Sequence, residues 1–163
     1  MITYGFKREF GPQLESGGKT LTMRQSRTPP SRHANTGEPI GLWTGLRTKE
    51  AKRRGVGLVT LTCLVRFDET GIRLVSDLRL CNQPDAGVEA LQRELLDRDN
   101  DAFARRDGFE NYASLWGWHR SNRTPEEKRS ADQSIVRHLI AWNPLSAEAA
   151  AAVEAGASLE EVA

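Results

Sequence analysis

The feature that most constrains the fold is one alternating run, Val56 to Phe67, in which Val59, Leu61, Cys63, Val65 and Phe67 share a parity. Apolar residues at every second position suit a β-strand with one buried face, because successive side chains point to opposite sides of the pleat. The run ends in Asp68-Glu69-Thr70-Gly71, which predicts a hairpin turn. Ile72 to Leu80 alternates again, with Ile72, Leu74, Ser76 and Leu78 on one side and Arg73, Val75, Asp77 and Arg79 on the other. A long strand with an antiparallel neighbour is therefore the expected centre of the fold.

Shorter elements surround it. Residues 2–6 read as an opening strand, and residues 8–17 as a short helix stopped by Gly17-Gly18. In Thr20-Leu21-Thr22-Met23-Arg24 the apolar and polar residues alternate, so Thr20, Thr22 and Arg24 fall on one face of a half-buried strand. Residues 25–38 form a polar loop around Pro29-Pro30, and Pro39 to Arg47 reads as another strand. Beyond Pro84 the period becomes helical, through Val88, Leu91, Leu95 and Leu96, then Phe103 and Ala104, then Tyr112, Leu115, Trp116 and His119. Thr124-Pro125-Glu126-Glu127 is a helix start, and Ile135 to Trp142 a closing strand. Strand, helix, strands, helices and a last strand predict an α+β fold with a small, partly closed β-barrel and flanking helices. A chain of 163 residues fits one domain, over 1–145, with 146–163 as an alanine-rich acidic helix or tail.

Bulk properties narrow the function. No segment has the roughly 20 apolar residues of a spanning helix, so no membrane partner is expected. The N-terminus lacks a basic stretch followed by an apolar one, and a cytoplasmic location is the expectation. Cys63 and Cys81 belong to no CxxC or Cys/His cluster and read as reduced thiols. His33, His119 and His138 are scattered, so neither a metal nor another cofactor is expected. Residues 1–66 carry 12 Lys/Arg against 4 Asp/Glu, and residues 67–163 carry 11 against 18. Such asymmetry points to a polyanion-binding face, unless the acidic part folds back onto the basic one.

Two separated motifs carry a family resemblance. Ser16-Gly17-Gly18-Lys19-Thr20-Leu21-Thr22-Met23-Arg24 resembles the opening signature of ASCH domains, in the PUA-like superfamily. Asp107-Gly108-Phe109, followed by an aromatic helix near Trp116-Trp118-His119, resembles the family's acidic-Gly-Phe element. Thr36-Gly37-Glu38-Pro39 is similar to its glycine turn, with Gly-Glu for the usual Gly-Asp. The likeness spans about residues 2–142. It implies a PUA-like pseudo-barrel, with a cleft between the barrel and the first helix that binds RNA or nucleotides. One branch hydrolyses the amide of N4-acylated cytidine with a Lys, a Thr and a Glu, and another is linked to ribonuclease activity.

The residues suit either a binder or an enzyme. Lys19 can donate to phosphate or carbonyl, or act as a base if desolvated. Thr22 can serve as nucleophile or as hydrogen-bond donor, Arg24 suits bidentate contact with phosphate, and Thr20 is a scaffold hydroxyl. Asp107 can orient Lys19, pair with Arg24, act as general acid or base, or simply turn the chain beside Gly108; Glu110 is the alternative acid. Arg27, Arg32, Arg47, Lys49, Lys52, Arg53 and Arg54 are candidate phosphate contacts, with a solvated surface as the alternative. Among Trp43, Tyr112, Trp116 and Trp118, Trp43 is the leading candidate for base stacking. The first expectation is an RNA- or nucleotide-binding module. The alternatives are a hydrolase acting on a modified nucleoside or on RNA, and a protein-interaction domain docking through the tail.

Overall fold

The computed structural model describes residues 1–81, 85–131 and 133–157. The chain runs through β1 (Ile2–Phe6), a 3-10 turn (Arg8–Phe10) leading into α1 (Gly11–Glu15), β2 (Leu21–Arg24), β3 (Pro39–Thr44), β4 (Lys52–Asp68), β5 (Gly71–Leu74) and β6 (Arg79–Leu80). It continues with α2 (Ala86–Asp97), α3 (Asn100–Arg106), α4 (Tyr112–Ser121), α5 (Pro125–Arg129), β7 (Ile135–Pro144) and α6 (Ala147–Glu154). The fold is α+β, built on one mixed sheet in the order β1-β3-β4-β7-β2, with β5 and β6 pairing β4. The β1–β3 pair is parallel and the others are antiparallel.

The alternating run forms most of β4 as expected, but it serves two cores rather than one. Opposite β7 the register slips between Val59 and Leu61, so Val59 faces Trp142 while Leu61 faces Ala141. A bulge inserts one residue and re-aims the side chains beyond it. Val59 therefore joins Tyr4, Phe6, Phe10, Leu14, Ile40, Leu42, Ile140 and Trp142 in one cluster. Leu61, Cys63, Val65 and Phe67 pack on the other face, against Val88, Leu91 and Leu95 of α2, Phe103 of α3 and Leu115 of α4. Thr60, at the slip, is buried as well. Burying a side chain such as Leu61 stabilises the fold by roughly 1.5–3 kcal/mol.

The sheet does not close into the expected barrel, because β1 and β2 remain at opposite ends of the hydrogen-bonded order. The two ends are nonetheless joined by a side chain, since Arg24 Nη2 of β2 donates to the Gly5 carbonyl of β1 at 2.9 Å. This open seam is where the candidate site lies. The strand expected over Ile72 to Leu80 is also interrupted. Leu64 N donates to Ser76 Oγ at 2.8 Å instead of to a ladder carbonyl, and the chain departs between β5 and β6. Among the helices, side chains of Asp85, Asp99 and Asn111 cap α2, α3 and α4, and Thr124 with Glu127 forms a full capping box on α5. The expected tail contains α6, held to β4 by an Arg53–Glu154 ion pair; residues 158–163 of it lie outside the described residues. Among the described residues, no helix is long and apolar enough to cross a membrane.

Trp142 is fully buried beside Gly57, and a Cβ built on Gly57 would lie 2.4 Å from Trp142 Cδ1. Gly57→Ala is expected to destabilise the protein by about 1–3 kcal/mol, the usual range for overpacking. Gly55→Ala is the control, because its added Cβ would meet only Leu42 Cδ1 at 4.0 Å. Urea unfolding of both variants checks this, and equal midpoints would refute it.

Candidate functional site

The turn between α1 and β2 sets the first residue of the site. Lys19 N donates to the Gln13 carbonyl at 3.0 Å, and Thr20 N to the Arg106 carbonyl at 3.1 Å. The loop is thus fastened to α1 on one side and to the end of α3 on the other. At that end the chain reverses through Gly108, whose φ of +85° is in the left-handed region. That conformation favours glycine, and a Cβ there would also crowd the Phe10 ring, 3.2 Å from Cδ1, beside the Gln13 amide. Gln13 Nε2 in turn donates to the Gly108 carbonyl at 3.3 Å.

These constraints bring Lys19 and Asp107 together, 88 residues apart in sequence. Lys19 Nζ donates to both the carboxylate and the main-chain carbonyl of Asp107. Both residues are only 2% exposed. The ammonium lies 4.6 Å from the centroid of the Phe10 ring and 5.7 Å from that of Phe6. Burial pushes Lys19 below the ordinary lysine range, against the attraction of Asp107, and the Arg24 charge lowers it further. Burial likewise pushes the Asp107 carboxyl above its ordinary range, opposed by Lys19. Both effects bring the proton affinities of the amine and the carboxyl closer together.

Thr22 and Arg24 complete the polar side of a pocket of about 210 Å³, walled by Phe6, Phe10, Phe109 and Trp118. Thr22 is buried, and its hydroxyl has no hydrogen-bond partner among the described residues. The Arg24 guanidinium lies over the rings of Phe6 and Tyr4, at 4.7 and 5.5 Å from their centroids. Arg24 Nε and Trp118 Nε1 are buried donors without a partner among the described residues. Buried donors are rarely left unsatisfied, and two on one pocket suit a ligand that brings acceptors.

Lys19, Thr22, Arg24 and Asp107 thus meet at one site, whereas Glu110, the alternative acid, is exposed and lines no part of it. The basic residues separate. Arg27 and Arg47 line a groove that continues from the pocket. Arg32 pairs with Glu38 at 2.7 Å and faces a different cavity. Lys52 and Arg54 reach Glu15 at 3.5 and 2.7 Å, and Arg54 Nε donates to Thr44 Oγ1. With Arg53 on Glu154, the side chains of Lys52, Arg53 and Arg54 tie α1 and α6 to β4, and Lys49 is exposed and lines neither pocket nor groove. Trp43 lines neither pocket nor groove, and the tryptophan facing both is Trp118. Tyr112 and Trp116 pack in the core.

Two buried polar residues of the site went unrecognised in the sequence, as did the ring wall of Phe6, Phe10 and Phe109. Arg137 is buried, held by Glu127 and lining the groove; its sequence signal is a charge on the apolar parity of Ile135, Leu139 and Ala141. His119 is the other, set between the rings of Phe67 and Trp118 at 4.9 and 4.8 Å.

Burial, with the charges of Arg137, Lys19 and Arg24, pushes His119 down to about 3. Its folded pKa lies below the unfolded value of roughly 6.5, so the unfolded chain binds the extra proton as pH falls. The stabilising contribution is complete above about pH 6.5 and drains as pH drops toward about 3. His33 and His138, also lowered by burial, act in the same direction. His119→Asn is expected to flatten the loss of stability between about pH 6.5 and pH 5 by about 2 kcal/mol. Urea unfolding at the two pH values reads this, and identical pH slopes for wild type and variant would contradict it.

No protein-family model, no curated protein and no solved structure matches the chain.

Proposed function

We propose that the chain is an ASCH-type domain whose pocket takes a nucleobase-sized ligand and hydrolyses an amide on it. The observation that carries this reading is the convergence of Lys19, Thr22 and Asp107 from separate elements on one small pocket. Its volume of about 210 Å³ suits one ring with a short substituent and excludes a folded strand of nucleic acid. The acylcytidine-hydrolysing branch uses a glutamate, and Asp107 is the acid this chain offers for that role without a clean motif match.

The chemistry starts from the buried pair. With its proton passed to Asp107, Lys19 takes the proton of the Thr22 hydroxyl as Oγ attacks the amide carbonyl carbon. The oxygen that gains charge is met by Arg24 and by the unpartnered N–H of Trp118, both already desolvated. Collapse expels the amine, which leaves with the proton held by Lys19. Water then attacks the Thr22 ester with the same base, and the acid departs.

A second reading, ligand binding without turnover, draws on the two oxygens of Asp107 that already hold the Lys19 ammonium. Incubation with N-acylated nucleosides, read by mass spectrometry for free acid and amine, separates the two. Thr22→Val preserves shape while removing the nucleophile, and is expected to lower turnover by about 100-fold or more. Lys19→Met and Asp107→Asn should do the same, with circular dichroism to confirm that each variant folds. Turnover undiminished in Thr22→Val would remove Thr22 from the mechanism. Saturable binding with no product in the wild type would favour the non-catalytic reading. Scission of single-stranded RNA would instead favour the ribonuclease alternative.

A further inference from the structure

Residues 25–38 pass from β2 to β3 as a polar strap whose two halves are held in different ways. The second half is tied down by backbone. Gly37 N donates to the Val59 carbonyl at 2.8 Å, Val59 N donates to the Glu38 carbonyl at 3.0 Å, and Ala34 is buried in the cluster around Tyr4. Arg32 closes the strap on itself through Glu38. Residues 26–33 have much less. Among the described residues, their one hydrogen bond to the chain outside the strap joins His33 Nδ1 to the Tyr4 hydroxyl, at 3.3 Å. The His33 ring stacks on that of Tyr4, with centroids 6.1 Å apart and planes 11° from parallel, and lies 4.7 Å from the His138 ring of β7. Arg27 adds a contact at 5.1 Å from the centroid of the Tyr4 ring. His33 and Arg27 line both the groove that continues from the pocket and the separate cavity of about 500 Å³. This half of the strap therefore stands between the two.

The hydrogen bonds decide which nitrogen of His33 carries the proton. Nε2 lies 2.8 Å from the Gln25 carbonyl, which can only accept, so Nε2 bears the hydrogen. Nδ1 is then the acceptor: the Tyr4 hydroxyl donates to it, and the Tyr4 oxygen accepts from Ala34 N at 3.0 Å. That relay needs a neutral ring. A proton on Nδ1 turns the acceptor into a second donor, and the Tyr4 hydrogen loses its partner. The new charge would also meet Arg24 of β2, Arg27 of the strap and the His138 ring of β7. Of the other groups around it, the Glu38 carboxylate is engaged by Arg32, burial pushes the Cys63 thiol of β4 up to about 12, and Asp77 and Arg79 of the β5–β6 link line the same cavity with opposite charges. Burial holds His33 below the ordinary histidine range, against the pull of the Gln25 carbonyl, and the charges of His138, Arg27 and Arg24 lower it further; burial lowers His138 as well.

We propose that His33 is an acid-released latch: neutral, it fastens residues 26–33 over the sheet, and protonated, it lets them go and opens the groove toward the neighbouring cavity. The proposal goes beyond the hydrolase reading and holds whatever the pocket binds. Its sign follows from the ring being harder to protonate in the folded chain than in the unfolded one. The latch is complete above about pH 6.5 and is lost as pH falls through the folded pKa below that value.

Hydrogen exchange of the full chain, read by mass spectrometry at about pH 7.5 and about pH 5, tests this once each rate is divided by that of an unstructured peptide at the same pH. Protection of residues 26–34 is expected to fall by about tenfold or more at the lower pH, while β4 and β7 keep theirs. The Ala34 amide, bound to the Tyr4 hydroxyl, is the most direct reporter. His33→Gln supplies an amide donor and acceptor that do not titrate, so its strap should show no acid-dependent loss. A strap unprotected at both pH values in His33→Gln, over a protected β4, would equally assign the fastening to His33. In the wild type, the loss should track the titration of the His33 ring protons followed by NMR, which needs no variant. Protection that is the same at both pH values, an acid-dependent loss that survives in His33→Gln, a His33 ring that stays neutral across the loss, or a loss shared by β4 and β7 would overturn the proposal.

Discussion

The buried contact of Lys19 with Asp107 is the interaction on which the site depends. Taking two charges out of water is expensive, and their attraction offsets that only when geometry and remaining hydrogen bonds are good. Here the main-chain carbonyl of Asp107 accepts a second bond from the same ammonium, and aromatic rings face the cation. The pair also has a structural consequence, because it joins the α1–β2 turn to the end of α3 across the bonds of Gln13 to Gly108 and of Thr20 to Arg106. Loss of one partner would leave a buried charge uncompensated, a change in the range of about 3–5 kcal/mol. The fold and the chemistry therefore draw on the same contact.

The second requirement is that two sheet edges meet without pairing. β1 and β2 are not hydrogen-bonded to each other, yet Gly5 and Phe6 of one and Thr22, Met23 and Arg24 of the other line the same pocket. Continuous pairing would have filled that space with backbone hydrogen bonds. The slip at Val59/Leu61 in β4 changes which face the strand presents, so that one element supports both the helical layer and the cluster beneath the pocket. Bulges of this kind commonly re-aim a strand near a functional site.

Much of the local structure is legible in the sequence because it is written in short-range patterns. Alternation places Thr22 and Arg24 on one strand, Gly17-Gly18 ends the first helix, and Asp107-Gly108-Phe109 marks a reversal that the left-handed Gly108 explains. The same alternation misleads where a single residue alters it: Val59 and Leu61 share a parity but lie in different cores, and Ser76 breaks the strand predicted through Leu80. The basic patch is illegible for a different reason. The partners of Lys52, Arg53 and Arg54 are Glu15 and Glu154, far away in sequence, and no local pattern announces them. Trp43 follows the basic loop along the chain, but that proximity carries no information on which ring the helices turn toward the seam, and the ring that lines it is Trp118.

Those pairings change what the charge asymmetry of the sequence means. A basic half and an acidic half suggest a broad positive face, yet folding resolves much of the excess into local pairs: Arg32 with Glu38, Lys52 and Arg54 with Glu15, Arg53 with Glu154, Arg8 with Glu50. Lys19 and Asp107 cancel within the pocket, and Arg137 and Glu127 beside it. Around the pocket mouth, Arg27, Arg47 and Lys7 have no ion-pair partner among the described residues, and Arg24 has only the Asp107 charge it shares with Lys19. A potential left over at one concave, partly desolvated place is stronger and more selective than the same charge spread over a surface, because low-dielectric walls focus the field. The Arg24 charge also lowers the proton affinity of Lys19, so the groups that would hold an anion are coupled to the base that would do the chemistry. An anion seated against Arg24 would offset that influence and hold the proton on Lys19 more firmly, which makes ligand charge and the protonation of Lys19 two readings of one electrostatic arrangement.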